Sequence, residues 1–184
     1  MNLIVVPENK SSFYYRPDST LIRDLRAYYL PDEVDRIRVS PVIAIRLRKP
    51  GKAIAPRFAE RYWDSFGFGL LIHPHLLNQD QAYCEFVENS LDFTTLIPLK
   101  NHPIQNFSDP LHVRFLINGT PCYETQELPL QAQWPDLMAL VSNHCSLRVG
   151  DLILVSLTKE IPVQVGSKLT AHWNEEVLFD LEIR

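Results

Sequence analysis

Arg48-Lys-Pro-Gly-Lys-Ala-Ile-Ala-Pro-Arg-Phe-Ala-Glu-Arg-Tyr-Trp-Asp64 is the stretch whose reading decides the fold. Pro50-Gly51 marks a reversal of chain direction, because glycine reaches backbone conformations closed to other residues. Pro56 suits a first helical turn, where its missing N–H would go unpaired in any case. Phe58, Tyr62 and Phe66 then recur at fourfold spacing as one apolar helix face. A second stretch, Ser146-Leu-Arg-Val-Gly-Asp-Leu-Ile-Leu154, turns at Val149-Gly150-Asp151 and runs into an apolar strand.

Working outward, turn signals separate strand-like segments along most of the chain. Asn118-Gly119 lies between His112-Val-Arg-Phe-Leu-Ile117 and Pro121-Cys-Tyr-Glu-Thr125, and this dipeptide readily takes the positive φ values of a type I′ hairpin. From Val149 to Arg184, short apolar runs at Leu152–Val155, Ile161–Val165, Leu169–Trp173 and Val177–Ile183 predict an antiparallel or mixed β unit, with a further turn at Val165-Gly166-Ser167. A helix is expected from Pro135, with Leu137, Leu140, Val141 and His144 on one side. A weaker helical pattern runs from Asn78 to Glu88, with Tyr83, Phe86 and Val87 as its apolar residues.

Composition narrows the class of protein. With 184 residues and 46% hydrophobic content the chain can bury one substantial core. A net charge of -4 and an isoelectric point near 5.8 leave no basic stripe for phosphates, so nucleic acid is not an expected partner. Met-Asn-Leu-Ile-Val-Val-Pro has too short an apolar run for a signal peptide or a membrane span, which predicts a cytoplasmic protein with no membrane partner. Cys84, Cys122 and Cys145 are scattered and odd in number, fitting reduced thiols better than a disulfide framework or a zinc site.

The two opening stretches, together with Arg16-Pro-Asp-Ser-Thr-Leu-Ile22, resemble the fumarylacetoacetate hydrolase family. The order of segments is also similar: a Lys-Pro-Asp-Ser-like segment, a Glu-x-Glu strand, a turn, a small helix, an Asp-bearing strand, a Lys-Gly-Phe-Asp-Gly-like loop and a closing Gly-Asp-Leu-Ile unit. The resemblance spans roughly Phe13 to Arg184. It implies a mainly β (α+β) fold, a fumarylacetoacetate hydrolase-like β-sheet roll with a few short helices. Residues 1–184 would form a single domain with a shortened N-terminal lid segment, and family members usually form homodimers.

Members of the family hold a divalent cation, magnesium or manganese, through carboxylates. Counting back from Gly51 places the two glutamates of the Glu-x-Glu strand at Ser40 and Val42, and counting forward to Gly67-Phe-Gly69 places the aspartate at Leu71. A hard cation needs oxygen ligands, which valine and leucine cannot supply. In Glu88-Asn89-Ser90-Leu91-Asp92-Phe93, Asn89 stands where the family lysine would, and only Asp92 survives. Val155-Ser156-Leu157-Thr158 replaces a Thr-Gly-Thr-Pro-like substrate loop. The lost lysine charge alone is worth on the order of 3 kcal/mol at comparable oxyanion sites.

The expectation is therefore a non-catalytic member of the fold with no cofactor and no catalytic residues, kept as a binding or structural module. Ser40, Val42, Leu71, His73, Asn89, Asp92, Ser156 and Leu157 would line a vestigial pocket. The partner would be a second copy or a catalytic paralogue in a heterodimer. The competing expectation is a hydrolase, isomerase or decarboxylase of small oxo or diketo acids using a non-standard site, and it gains if His73, Asp92 and Glu88 converge. His73-Pro74-His75 invites a metal reading, since alternate strand residues share a face, against a plainer one of ordinary hydrogen bonds. Cys84, Cys145 beside His144, and the carboxylates of Glu175-Glu176 and Asp180-Glu182 have equally plain readings as core thiols and a solvent-facing strand edge.

Overall fold

In the computed structural model, which describes residues 1–77, 80–98, 102–103, 112–126 and 133–184, two strands of 14 residues each set the frame. In chain order the described strands are β1 (Leu3–Val6), β2 (Tyr14–Arg16), β3 (Leu21–Ile22), β4 (Ala27–Tyr28), β5 (Val34–Leu47), β6 (Trp63–Leu76), β7 (Thr95–Leu96), β8 (His102–Pro103), β9 (Val113–Ile117), β10 (Thr120–Thr125), β11 (Leu152–Ser156), β12 (Ile161–Val163), β13 (Lys168–Trp173) and β14 (Glu176–Ile183). The helices are α1 (Gln81–Glu88) and α2 (Trp134–His144). The long pair β5–β6 is antiparallel from Val34↔Leu76 to Leu47↔Trp63, with register shifts near either end.

The larger sheet runs β2-β1-β11-β5-β6-β7-β3, with β12 added to β5 and β8 to β6; the smaller runs β10-β9-β13-β14-β4. Both long strands are buried almost continuously through their centres, the signature of a sheet covered on both faces. Ile37, Val39, Ile43 and Ile45 of β5 and Phe66, Phe68, Leu70 and Ile72 of β6 enter the main core, which the smaller sheet and α2 complete. The alternate residues Val42, Ala44 and Leu71 enter a second apolar cluster with Leu3, Val5, Ile97, Leu152 and Leu154. Period-two alternation thus sorts one pair of strands into two cores.

The two stretches that carried the resemblance bond to each other. Gly51 and Leu147 exchange backbone hydrogen bonds at 3.1 and 2.8 Å, Leu47 N donates to Asp151 O at 3.0 Å, and Gly150 N donates to Leu47 O at 2.8 Å. The Asp151 side chain, buried, accepts from Asn2 N and Arg148 N, both at 2.8 Å, and from Asn2 Nδ2 at 3.1 Å. The Asn118-Gly119 turn joins β9 to β10 with both residues at positive φ, 51° and 78°, as the hairpin reading requires.

Local readings needed correction in four places. Pro56–Arg61 is a 3₁₀ turn and Tyr62 its C-cap; Phe66 belongs to β6 and reaches the core from there, so the fourfold helix face does not form. Along α2 the buried side is Trp134, Leu137, Met138, Val141 and Ser142, while Leu140 is half-buried and His144 exposed. The helix begins at Trp134, whose ring packs 5.4 Å from that of Trp63 and sets the rotation. Residues 78–79 of the expected Asn78–Glu88 helix lie outside the described residues; in α1 Cys84 is the buried position, whereas Tyr83 and Phe86 are exposed, Phe86 by 74%. The closing unit divides between the sheets: β11 and β12 pair with β5, and β13 and β14 pair with each other.

Candidate functional site

Register on the larger sheet brings the three counted positions together. Ser40 lies opposite Leu71, Val42 opposite Gly69, Arg38 opposite His73, and Ser156 opposite Val42. Strand parity then places Ser40, Val42, Leu71, His73 and Ser156 on one face. Their environments differ along that face. Val42 and Leu71 are both 0% exposed within the second apolar cluster, whereas Ser40, His73 and Ser156 border a cleft of about 430 Å³ with Pro7, Tyr14 and Glu160.

Behind His73, outside the lining of the cleft, lies a buried cation. Arg16 ends β2, which pairs with β1 so that Arg16 faces Leu3, and its side chain is 1% exposed. One terminal nitrogen donates to Thr94 O at 2.9 Å and Thr95 Oγ1 at 3.3 Å; the other donates to Ile72 O at 3.1 Å and to His73 Nδ1 at 3.2 Å. Thr20 Oγ1 lies 3.0 Å from Thr95 Oγ1. Nε of Arg16 has no hydrogen-bond partner. Burial lowers the Arg16 pKa, opposed by the Tyr14 hydroxyl and by Glu160. Glu160 is itself held by Arg38 Nε at 3.1 Å and lies 3.7 Å from His73 Nδ1.

His73 completes a chain of polar contacts. Its Nε2 is 3.0 Å from Ser40 Oγ. Burial, then the Arg16 and Arg38 charges, hold its pKa well below the ordinary 6.5, so the ring is neutral at neutral pH. Burial raises the Tyr14 pKa, with Arg16 opposing, so that phenol is protonated.

The remaining sequence candidates are dispersed. Leu157, which alternates with Ser156, packs on the main core and donates its N–H to Pro41 O. Asn89 is the C-cap of α1 and donates to Glu85 O at 2.8 Å. Asp92 is exposed on the turn that follows. Glu88 contacts His75 Nδ1 at 3.1 Å and Leu76 N at 2.9 Å, so His73, Asp92 and Glu88 form no common hydrogen-bonded cluster. Sequence reasoning missed Arg16 as a site residue and Glu160 altogether. Arg16 carries a signal, a charge at alternate-residue spacing from Tyr14 in an apolar strand context; Glu160 carries none, since it approaches only through the turn after β11.

A divalent cation does not fit these side chains. The counted ligand positions offer one hydroxyl and two hydrocarbons, and the guanidinium of Arg16 lies beside His73, where it would repel a second cation. Among the described residues no three His, Cys, Asp or Glu side chains are grouped to share a metal ion.

Comparison with solved structures defines the class of fold. A structure from Yersinia pestis CO92 assigned to the fumarylacetoacetate hydrolase family superposes with a TM-score of 0.74 at 17% identity, over 100% of this chain and 92% of that one. Fumarylpyruvate hydrolase from Pseudomonas aeruginosa, in complex with Mn²⁺ and pyruvate, gives 0.77 at 12% identity over 100% and 89%. A 2-hydroxyhepta-2,4-diene-1,7-dioate isomerase from Mycobacterium marinum gives 0.75 at 15% identity over 99% and 73%. No family profile and no curated protein sequence matches the chain. The chain thus has the mainly β fold of fumarylacetoacetate hydrolase proteins, whose solved examples include hydrolases and isomerases.

Proposed function

We propose that this chain is a non-catalytic protein on the fumarylacetoacetate hydrolase fold, one that binds rather than turns over a small molecule. The observation that carries this reading is the burial of Val42 and Leu71. At two of the three positions where the resemblance places carboxylate ligands, the side chains belong to an apolar cluster spanning four strands. Converting an ion site into packed hydrocarbon removes the charge that would hold a cation and fills the space it would occupy. The resemblance further supports a cytoplasmic homodimer as the working form, or a heterodimer with a catalytic paralogue. The three free thiols suit a reducing compartment.

Metal content and melting temperature of the purified protein test the reading. Substoichiometric magnesium, manganese and zinc are expected, with a melting temperature that none of the three raises. A ligand at a hundredfold its Kd would stabilise by about 2.7 kcal/mol, which is readily seen. Stoichiometric metal, or manganese-dependent cleavage of fumarylpyruvate, would overturn it.

A hydrolase with a different site is the second reading, and one contact favours it: Ser40 Oγ and His73 Nε2 are spaced like a nucleophile and its base. That reading requires the serine proton to pass to the imidazole.

A further inference from the structure

The larger sheet ends at β2, which pairs with β1 alone. The N–H and C=O groups on its far side have no strand partner, and none makes another backbone hydrogen bond among the described residues. An edge of this kind is a template for one more strand. A groove of about 660 Å³ follows that edge. Tyr14, Tyr15 and Arg16 all line it. Since successive strand residues point to opposite faces, the groove lies beside the strand, in the plane of the sheet, rather than over one face. Its other wall is α1, through Ala82, Glu85, Phe86 and the C-cap Asn89, which recur at helical spacing on one side.

Side-chain chemistry selects the occupant. Tyr15 is 43% and Phe86 74% exposed, two rings with apolar surface left to cover. Of the charged groups lining the groove, Arg16 is 1% exposed and its terminal nitrogens are engaged by Thr94, Thr95, Ile72 and His73. The Met1 amine lies 3.5 Å from Asp18. Glu85 is exposed and accepts from the Gln81 amide at 3.0 Å, with no ion-pair partner among the described residues. Across residues 80–93 the charged side chains are Asp80, Glu85, Glu88 and Asp92, all acidic. The uncompensated charge beside the groove is therefore negative. An extended peptide with a cationic side chain uses the strand edge, the two rings and the acidic wall together, whereas a small cation would leave the edge unpaired.

We propose that the groove between β2 and α1 docks an extended basic peptide. The peptide adds a strand to the larger sheet at β2, covers Tyr15 and Phe86 with an apolar side chain, and sets a lysine or arginine beside Glu85. This goes beyond the non-catalytic reading and does not depend on it, since the groove and the cleft over Ser40 and His73 share only Tyr14 in their linings.

The test titrates the whole protein with a blocked hexapeptide, acetyl-Thr-Val-Leu-Lys-Val-Thr-amide, followed by backbone amide NMR. Saturable binding with a Kd below about 1 mM is expected, shifting the amides of Tyr14, Tyr15 and Arg16 and those of α1. Only one edge of an added strand faces β2. N-methylating one alternate set of peptide nitrogens should therefore weaken binding at least tenfold more than N-methylating the other. Replacing the peptide lysine by glutamate should also weaken it about tenfold. Phe86→Ala and Glu85→Lys, at exposed positions, should do the same with the melting temperature unchanged. No saturable binding, equal binding of the glutamate peptide, equal effects of the two N-methylated sets, or shifts centred on Ser40 and His73 would each overturn the proposal. Sedimentation of the peptide-free protein tests the other occupant: a dimer dissociated by Phe86→Ala would assign the edge to a second copy of the chain and overturn the peptide. Failure of any of these leaves the metal measurement, and the reading it tests, untouched.

Discussion

At the scale of single residues, one face of the larger sheet divides between apolar packing and hydrogen bonding. Leu71 is fully buried in the second apolar cluster, so Leu71→Ala should cost about 2–5 kcal/mol in urea denaturation, as large-to-small changes in well-filled cores do. A loss under about 0.5 kcal/mol would mean that the position is not tightly packed. His73 makes a pH prediction of definite sign. Its folded pKa lies below the ordinary 6.5, so below 6.5 the unfolded chain binds a proton that the folded chain does not. The stability it contributes is complete above 6.5 and is lost as the pH falls toward the folded value. Of the groups facing the ring, Arg16, Arg38, Ser40 and Glu160, the Glu160 carboxylate lies 3.7 Å from Nδ1, but burial and the two arginine charges outweigh it and keep the sign. His73→Gln should therefore flatten the fall of stability between about pH 7 and 5, measured as chemical denaturation against pH.

Elements impose conditions that no single position displays. Strand β7 can dock on β6 only because residue 69 has no side chain: a Cβ there would lie 2.3 Å from Leu96 O and 2.4 Å from Ile97 Cδ1. The obstacle is partly backbone and cannot rotate away, so Gly69→Ala should lower stability by about 1–3 kcal/mol, read from the urea midpoint. A neutral outcome would show that β7 is free to shift. The helices were the least legible elements, and for one reason. A fourfold apolar spacing identifies a helix only if every member of the set belongs to it, and Phe66 had already joined β6, leaving one 3₁₀ turn. Likewise Tyr83 and Phe86 of α1 are exposed because only the Cys84 side of that helix meets the body of the protein.

For the whole molecule, the larger sheet separates two cores, and the termini of distant segments close it. Asp151 binds the chain near Asn2 to the turn before β11 through three N–H groups. Removing a buried acceptor of this kind leaves its donors unpaired, and Asp151→Ala should destabilise by about 2–4 kcal/mol in a single cooperative transition. A second, earlier transition would show instead that the strands around β1 unfold on their own.

Read from residues alone, the chain already determined a mainly β fold, its hairpin at Asn118-Gly119, its turns at Gly150 and Gly166, and the absence of carboxylate side chains at positions 40, 42 and 71. These are local statements: turn glycines need positive φ, strands alternate with period two, and a side chain either carries a charge or does not. Tertiary structure alone decided which strands share a sheet, that Asn89 and Asp92 stand apart from Ser40, that Leu157 bonds to Pro41 but packs on the main core, and that Arg16 reaches His73 across 57 positions of chain. Those pairings follow from the β5–β6 register and from the free energy of burying two cores around it, a sum over contacts distant in sequence that no local pattern records.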